Sequence, residues 1–199
     1  MENERVKIIS SEVLSDNWYV LKKFTFKYQL HDGSWQEQVR EAYDRGNGAT
    51  ILLYNKVKET VILTRQFRLP TFINGNPTGM LVEACAGLLD KENPEECIRR
   101  ETEEETGYKI NDVKRVFELY MSPGSVTEIL YFFVAEYSEE QKVNEGGGAE
   151  HEHENIEVLE LPLKKAISMM KNGEIRDAKT VILLQYVMLH GLLKADYNE

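Results

Sequence analysis

The chain has 199 residues, of which 42% are hydrophobic; that is enough for one medium-sized domain with a real core and excludes global disorder. Its formal net charge of −10 argues against nucleic acid or an anionic membrane surface as partner, because both demand a clustered basic face. No run approaches the roughly 20 apolar residues that span a bilayer, the opening "MENERVKIIS" lacks the apolar stretch of a secretion signal, and Cys85 and Cys97 fit neither a C-x-x-C nor a zinc spacing. A cytoplasmic protein with reduced thiols is the expectation.

In chain order, period-two alternation predicts a long strand over residues 17–30, a turn at His31-Asp32-Gly33 and a returning hairpin strand, "SWQEQVREAY". Five further strands are expected at "GATILLYN", "ETVILTRQFR", "GMLVEACAG", "VKRVFELYM" and "TEILYFFVAEY", with a Pro-containing loop, "LPTFINGNPTG", between the second and third. Asn93 suits a helix N-cap, Pro94 the first helical position and Gly107 the residue just past the end, so "PEECIRRETEEET" is predicted as a helix. An acidic, glycine-rich loop, "NEGGGAEHEHEN", and two more helices over 163–171 and 177–193 follow. Helices that cap a mixed sheet, rather than alternate with its strands, favour an α+β or α/β sandwich.

The helix 94–106 carries an unusual density of acid. On a wheel of about 100° per residue, Glu101, Glu104 and Glu105 cluster on the side shared by Cys97 and Ile98, which should face the interior. Two like charges about 4 Å apart repel by roughly 4 kcal/mol at an effective dielectric near 20. Compensation must come from protonation, from arginine or from a metal. Arg100 is expected to answer only one of the three. Hard divalent cations prefer oxygen ligands, which suits such a cluster.

The surrounding stretch "AGLLDKENPEECIRRETEEETGY" resembles the Nudix box, G-x5-E-x7-R-E-U-x-E-E-x-G-U, through Glu92, Arg100-Glu101, Glu104-Glu105, Gly107 and Tyr108. Two positions depart from it. The leading glycine is one place late, Ala86 standing in its slot with Gly87 following, and Thr102 replaces an aliphatic residue. The resemblance implies an α/β fold, the Nudix α/β/α sandwich with a mixed sheet over residues 46–199, preceded by an antiparallel hairpin or sheet over 1–45 that would serve as a dimerisation arm. It implies hydrolysis of a nucleoside diphosphate linked to another group, with Mg²⁺ or Mn²⁺ held by Glu101 and Glu105, assisted by Glu104, and by the backbone carbonyl of Ala86.

Substrate class follows from further likenesses. "MLVEACAG" resembles the E-x-P-A-G segment of the family's nucleotide-sugar and ADP-ribose branch, with Cys85 in place of proline, and "YMSPGSVTE" resembles its S-P-G-x-x-x-E loop. Within that branch, "RQFR", "CAGLLD", "ELYMSPG", "GGG" and "GEIRDAKTV" look closest to members that cleave GDP-mannose. ADP-ribose, giving AMP and ribose 5-phosphate, is the alternative substrate; a non-catalytic nucleotide-sugar sensor is a third reading, disfavoured because every box acid is present.

The same resemblance implies individual roles. Arg68 would grip the diphosphate, since a guanidinium fork matches phosphate oxygens. Trp18, Arg40, Glu41, Gly87, Glu128 and Lys179 match substrate-contacting positions, the first three reaching across a homodimer. For Trp18 a tryptophan half-buried in its strand stays open beside base stacking, and for Lys179 a surface lysine at a helix start. Glu154 matches a loop glutamate that acts as general base and also ligates metal, with Glu152 as rival and the loop glycines supplying mobility. Glu104 and Glu105 complete the catalytic set. His151 and His153 read as solvated, and Cys85 and Cys97 as packing residues.

Overall fold

Two units divide the chain: Met1–Asn47 with Tyr120–Ile129, and Gly48–Leu119 with Leu130–Glu199. They are seen in a computed structural model that describes residues 4–89, 92–148 and 155–194. Among these residues no helix is long and apolar enough to cross a membrane.

The first unit is an antiparallel three-stranded sheet of β1 (Val6–Asp16), β2 (Val20–Gln29) and β3 (Trp35–Asp44), in that spatial order. The β2–β3 turn forms where "HDG" predicts it. Asp32 Oδ1 accepts from the Ser34 N–H at 2.9 Å and from its hydroxyl at 2.6 Å, while Gly33 takes φ +85°, a value that favours glycine. The strand expected from residue 17 starts at Val20 instead, because residues 17–19 turn the chain back from β1. The segment 120–129 runs beside the end of β3: Tyr43 N–H donates to Ser125 O at 2.8 Å, and Thr127 N–H donates to Tyr43 O at 3.1 Å.

The second unit holds a seven-stranded mixed sheet. Its main path runs β10 (Glu157–Pro162), β5 (Thr60–Phe67), β4 (Gly48–Asn55), β9 (Ile129–Glu136), β8 (Lys114–Tyr120), with β4 and β9 parallel. Residues 79–87, expected as one strand, form two short ones. β6 (Met80–Glu83) pairs with β5, β7 (Cys85–Leu88) pairs with β4, and the switch falls at Ala84. The expected loop after β5 contains a five-residue helix, α1 (Leu69–Ile73), with Pro70 in its first turn.

Every residue of β4 is buried, as befits a central strand covered on both faces. Ala49, Ile51 and Leu53 meet α2 (Pro94–Thr106) through Cys97 and Ile98, in a core that also takes in Ile62, Cys85, Phe133 and Tyr137. On the opposite face, Phe132 meets Phe117 at 6.3 Å between ring centroids, and Phe117 meets Tyr186 of α4 (Ala178–Leu189) at 5.5 Å. The helix predicted over 163–171 is α3 (Leu163–Lys171) and packs on β10 and β5. The one predicted over 177–193 is α4, which stops earlier because Gly191 adopts φ +58°. This second unit is therefore a helix-covered mixed sheet.

Candidate active site

Helix α2 is built as its ends prescribe. Asn93 Oδ1 accepts from the N–H groups of Glu95 and Glu96, each at 3.0 Å, and these two acids occupy the positive end of the helix. Gly107 closes the other end at φ +79°, its N–H donating to Glu103 O at 3.0 Å. The next two carbonyls are met from outside: Gly148 N–H donates to Glu104 O at 3.1 Å and Gly147 N–H to Glu105 O at 2.9 Å. Gly146, Gly147 and Gly148 all have positive φ, and a Cβ on Gly146 would sit 2.4 Å from Glu105 O. These glycines fasten the root of the loop to the acidic helix.

The buried side of α2 comprises Cys97, Ile98, Thr102, Glu105 and Thr106. Thr102, which departs from the aliphatic pattern, satisfies its hydroxyl by donating to Ile98 O at 2.5 Å, one turn back. Glu105 is 1% exposed, so the inward placement is complete for this acid. Its Oε2 accepts from the Ala86 N–H of β7 at 3.3 Å. Glu101 is largely buried, whereas the Glu104 side chain lies at the rim, 38% exposed.

Arg100 meets two of the three clustered acids rather than one, and Glu92 besides. Its Nε pairs with Glu92 Oε2 at 3.1 Å, its Nη2 with Glu101 Oε1 at 3.0 Å and its Nη1 with Glu104 Oε2 at 2.8 Å. The seven residues separating Glu92 from Arg100 span the helix start, which lets an acid outside α2 reach the same guanidinium. Burial pulls the Arg100 pKa down, but the charges of Glu101, Glu92 and Glu104 more than reverse this, leaving it above its ordinary value.

The displaced glycine has a physical reason. A Cβ on Gly87 would lie 2.0 Å from Glu101 Cδ and 2.1 Å from its Oε1, so the backbone of β7 leaves the space that the Glu101 carboxylate fills. Cys85, beside this point, is buried, and burial together with the Glu105 charge raises its thiol pKa well above the usual value. That is the reverse of an activated nucleophile.

Among the described residues, no group of three or more His, Cys, Asp or Glu side chains is drawn together tightly enough to hold a metal ion. The donor set nonetheless fits a hard divalent cation. Three carboxylates, of Glu92, Glu101 and Glu104, meet a single guanidinium, the Glu105 carboxylate accepts from the Ala86 N–H, and all four offer oxygen. Glu152 and Glu154, with His151 and His153, lie outside the described residues.

A second polar group in the same unit surrounds Arg68. Its Nε donates to Glu83 Oε2 at 2.8 Å, and Lys179 Nζ donates to Glu83 Oε1 at 2.9 Å. Lys179 is not a surface lysine; its side chain is 12% exposed. Glu83 was missed from the sequence as a site residue, although it is the glutamate of the quoted "MLVEACAG" segment.

The remaining candidates belong to the first unit. Trp18 occupies the β1–β2 turn, 82% exposed rather than half-buried in a strand, and stacks on Tyr19 at 5.1 Å. Arg45 lies over the Tyr19 ring at 5.6 Å and pairs with Glu128 at 3.7 Å, linking Trp18 to Glu128 through two residues that sequence reasoning did not single out. Arg40 and Glu41 are exposed on β3, where Arg40 Nη1 donates to Val39 O at 2.7 Å.

A NUDIX domain family model matches residues 44–184 of this chain. The chain belongs to the Nudix family. A further match, to the N-terminal domain described as that of the GDP-mannose pyrophosphatase NudK, covers residues 5–43 of this Nudix protein. Curated relatives named GDP-mannose pyrophosphatase include one from Yersinia enterocolitica, 57% identical over 96% of this chain and 98% of its own. Another, from Klebsiella pneumoniae, is 54% identical over 98% and 97%, and one from Escherichia coli O157:H7 is 54% identical over 96% and 98%. A crystal structure titled as an ADP compounds hydrolase superposes with a TM-score of 0.68 over 96% of this chain and 98% of that one, at 19% identity. That likeness concerns the fold, which is the Nudix α/β fold. As a family member with its box acids intact, the chain is a pyrophosphohydrolase.

Proposed function

We propose that this Nudix enzyme hydrolyses the pyrophosphate bond of GDP-mannose, consuming one water and releasing GMP and mannose 1-phosphate. The observation that carries the reading is the likeness along nearly the whole length to relatives bearing that activity in their names, with the N-terminal match included. Glu101 and Glu105, with the Ala86 carbonyl and with Glu104 at the rim, would hold Mg²⁺ or Mn²⁺; Glu154 is a further ligand by resemblance. A divalent ion bound there neutralises phosphate oxygens and lowers the pKa of a bound water.

The chain's own residues supply the rest. Arg68 binds the diphosphate through its terminal amines. A carboxylate of the 144–155 loop, Glu154 or Glu152, takes the proton of the attacking water. Arg100 keeps the carboxylates of Glu92, Glu101 and Glu104 in one arrangement between turnovers. Trp18 offers an open aromatic face on which a guanine can stack.

Incubating the purified protein with GDP-mannose, ADP-ribose and other sugar nucleotides in Mg²⁺ should yield GMP and mannose 1-phosphate at the highest kcat/KM. Faster release of AMP and ribose 5-phosphate would reassign the substrate, and binding without products would favour a sensor.

We also propose that the first unit pairs with a second copy of the chain, in a reducing, cytoplasmic setting suited to the free, buried Cys85 and Cys97. Ile8 and Val13, 61% and 54% exposed, pair with Phe26 and Lys22 and so share one face of its sheet, an apolar surface suited to a second copy of the chain. Light scattering should give twice the chain mass of 23.0 kDa, and Ile8→Asp with Val13→Asp should halve it. A wild-type monomer would remove this part of the reading.

A further inference from the structure

Glu83 ends β6 with a side chain only 4% exposed, and an isolated carboxylate at such a place would be costly. Both of its oxygens are occupied by cations, one by Arg68 Nε and the other by Lys179 Nζ. Lys179 donates in turn to Asp177 Oδ1 at 2.9 Å. The other Asp177 oxygen caps α4, accepting from the Thr180 N–H at 2.9 Å and the Thr180 hydroxyl at 2.6 Å. Thr180 Oγ1 then accepts from the Ala84 N–H at 2.6 Å. The end of β6 is thereby bolted to the start of α4. Burial alone would lower the Lys179 pKa, yet Glu83 and Asp177 more than offset it and keep the ammonium charged.

Stability does not account for this arrangement well. Buried ion pairs are often no better than apolar residues of the same volume, so two cations on one buried carboxylate call for another purpose. Arg68 indicates what that purpose is. Its side chain is 39% exposed, and its Nε is committed to Glu83, while its two terminal amines have no partner among the described residues. A guanidinium held by Nε cannot rotate freely, so its outer edge is presented in a fixed direction with two parallel donors, the geometry that grips phosphate oxygens.

We propose that Glu83 is a positioning residue for the hydrolysis: it holds Arg68 by Nε so that both terminal amines meet the substrate diphosphate, and the Lys179–Asp177 pair fixes Glu83. This rests on Arg68 being the diphosphate grip. Glu83 itself touches no substrate.

The test is a double-mutant cycle in Mg²⁺. Glu83→Gln, which preserves shape and one acceptor, should raise KM by about tenfold or more while kcat changes much less. In an Arg68→Ala background the same change should add nothing to KM, because the residue through which it acts is gone. Lys179→Gln should repeat the pattern more weakly, and it takes over the test if Glu83→Gln does not fold. The same cycle is read by calorimetry with inorganic pyrophosphate, which reports the grip whatever sugar nucleotide is cleaved. Failure on GDP-mannose with an intact pyrophosphate cycle would therefore fault the substrate and leave Glu83 in its role. An unchanged KM and pyrophosphate affinity in Glu83→Gln, or losses that simply add to those of Arg68→Ala, would overturn the proposal.

Discussion

Glu105→Gln should reduce kcat by at least about a hundredfold, equivalent to roughly 2.7 kcal/mol of transition-state stabilisation, while leaving the thermal midpoint at or above that of the wild type. The reasoning is electrostatic. Glu105 is the most buried acid of the group, and its oxygen accepts from the Ala86 N–H, a bond the amide oxygen of glutamine can reproduce. The substitution removes a negative charge from beside Glu101 and Glu104, so the folded state loses repulsion. What disappears is the anionic oxygen that a divalent cation requires. Full turnover by this variant in excess Mg²⁺ would refute the assigned role. In the same assay, Glu152→Gln and Glu154→Gln should separate the two loop acids, the general base being the one whose loss lowers kcat more steeply.

Gly87→Ala should be the second large effect, and its signature is a split between activity and stability. An added Cβ would overlap the Glu101 carboxylate, and that carboxylate is the tip of a flexible side chain, so it can swing aside. No left-handed backbone conformation is involved, and alanine restricts the unfolded chain, so stability should stay within about 1 kcal/mol of wild type. In the metal-holding role proposed for Glu101, a displacement of about an ångström can nevertheless lose about a hundredfold in rate. Melting and kcat measured on one preparation decide the matter. Near-normal turnover would mean that the position of Glu101 is not critical. An unfolded variant would mean that the glycine serves packing alone.

Much of this architecture was legible before any coordinates. The capped helix 94–106 and the helix 163–171 match their predicted spans, because Asn93, Pro94 and Gly107 are local signals that tertiary packing does not override. Strands β4, β5 and β9 were equally readable, being apolar runs bounded by turns. Other features depend on partners distant in the chain. The stretch 79–87 reads as one strand, yet its halves pair with different neighbours, which periodicity cannot reveal. β1 and β10 were not anticipated as strands; β1 is mostly exposed and mixes polar with apolar residues, so no single buried face shows in its pattern. The acids of the site could be named from spacing, but not that one guanidinium joins three of them. Nor could spacing show that Lys179 is buried between Glu83 and Asp177, since those partners come from β6 and from the cap of α4.

The loop root described above has a consequence for how such an enzyme can vary. Gly147 donates to the last turn of α2 and, through its carbonyl, accepts from the Ile156 N–H at 3.2 Å, so both ends of the intervening segment are pinched at one neck. At φ +108° position 147 favours glycine, so a side chain there would loosen the last turn of α2 and the approach to β10 together.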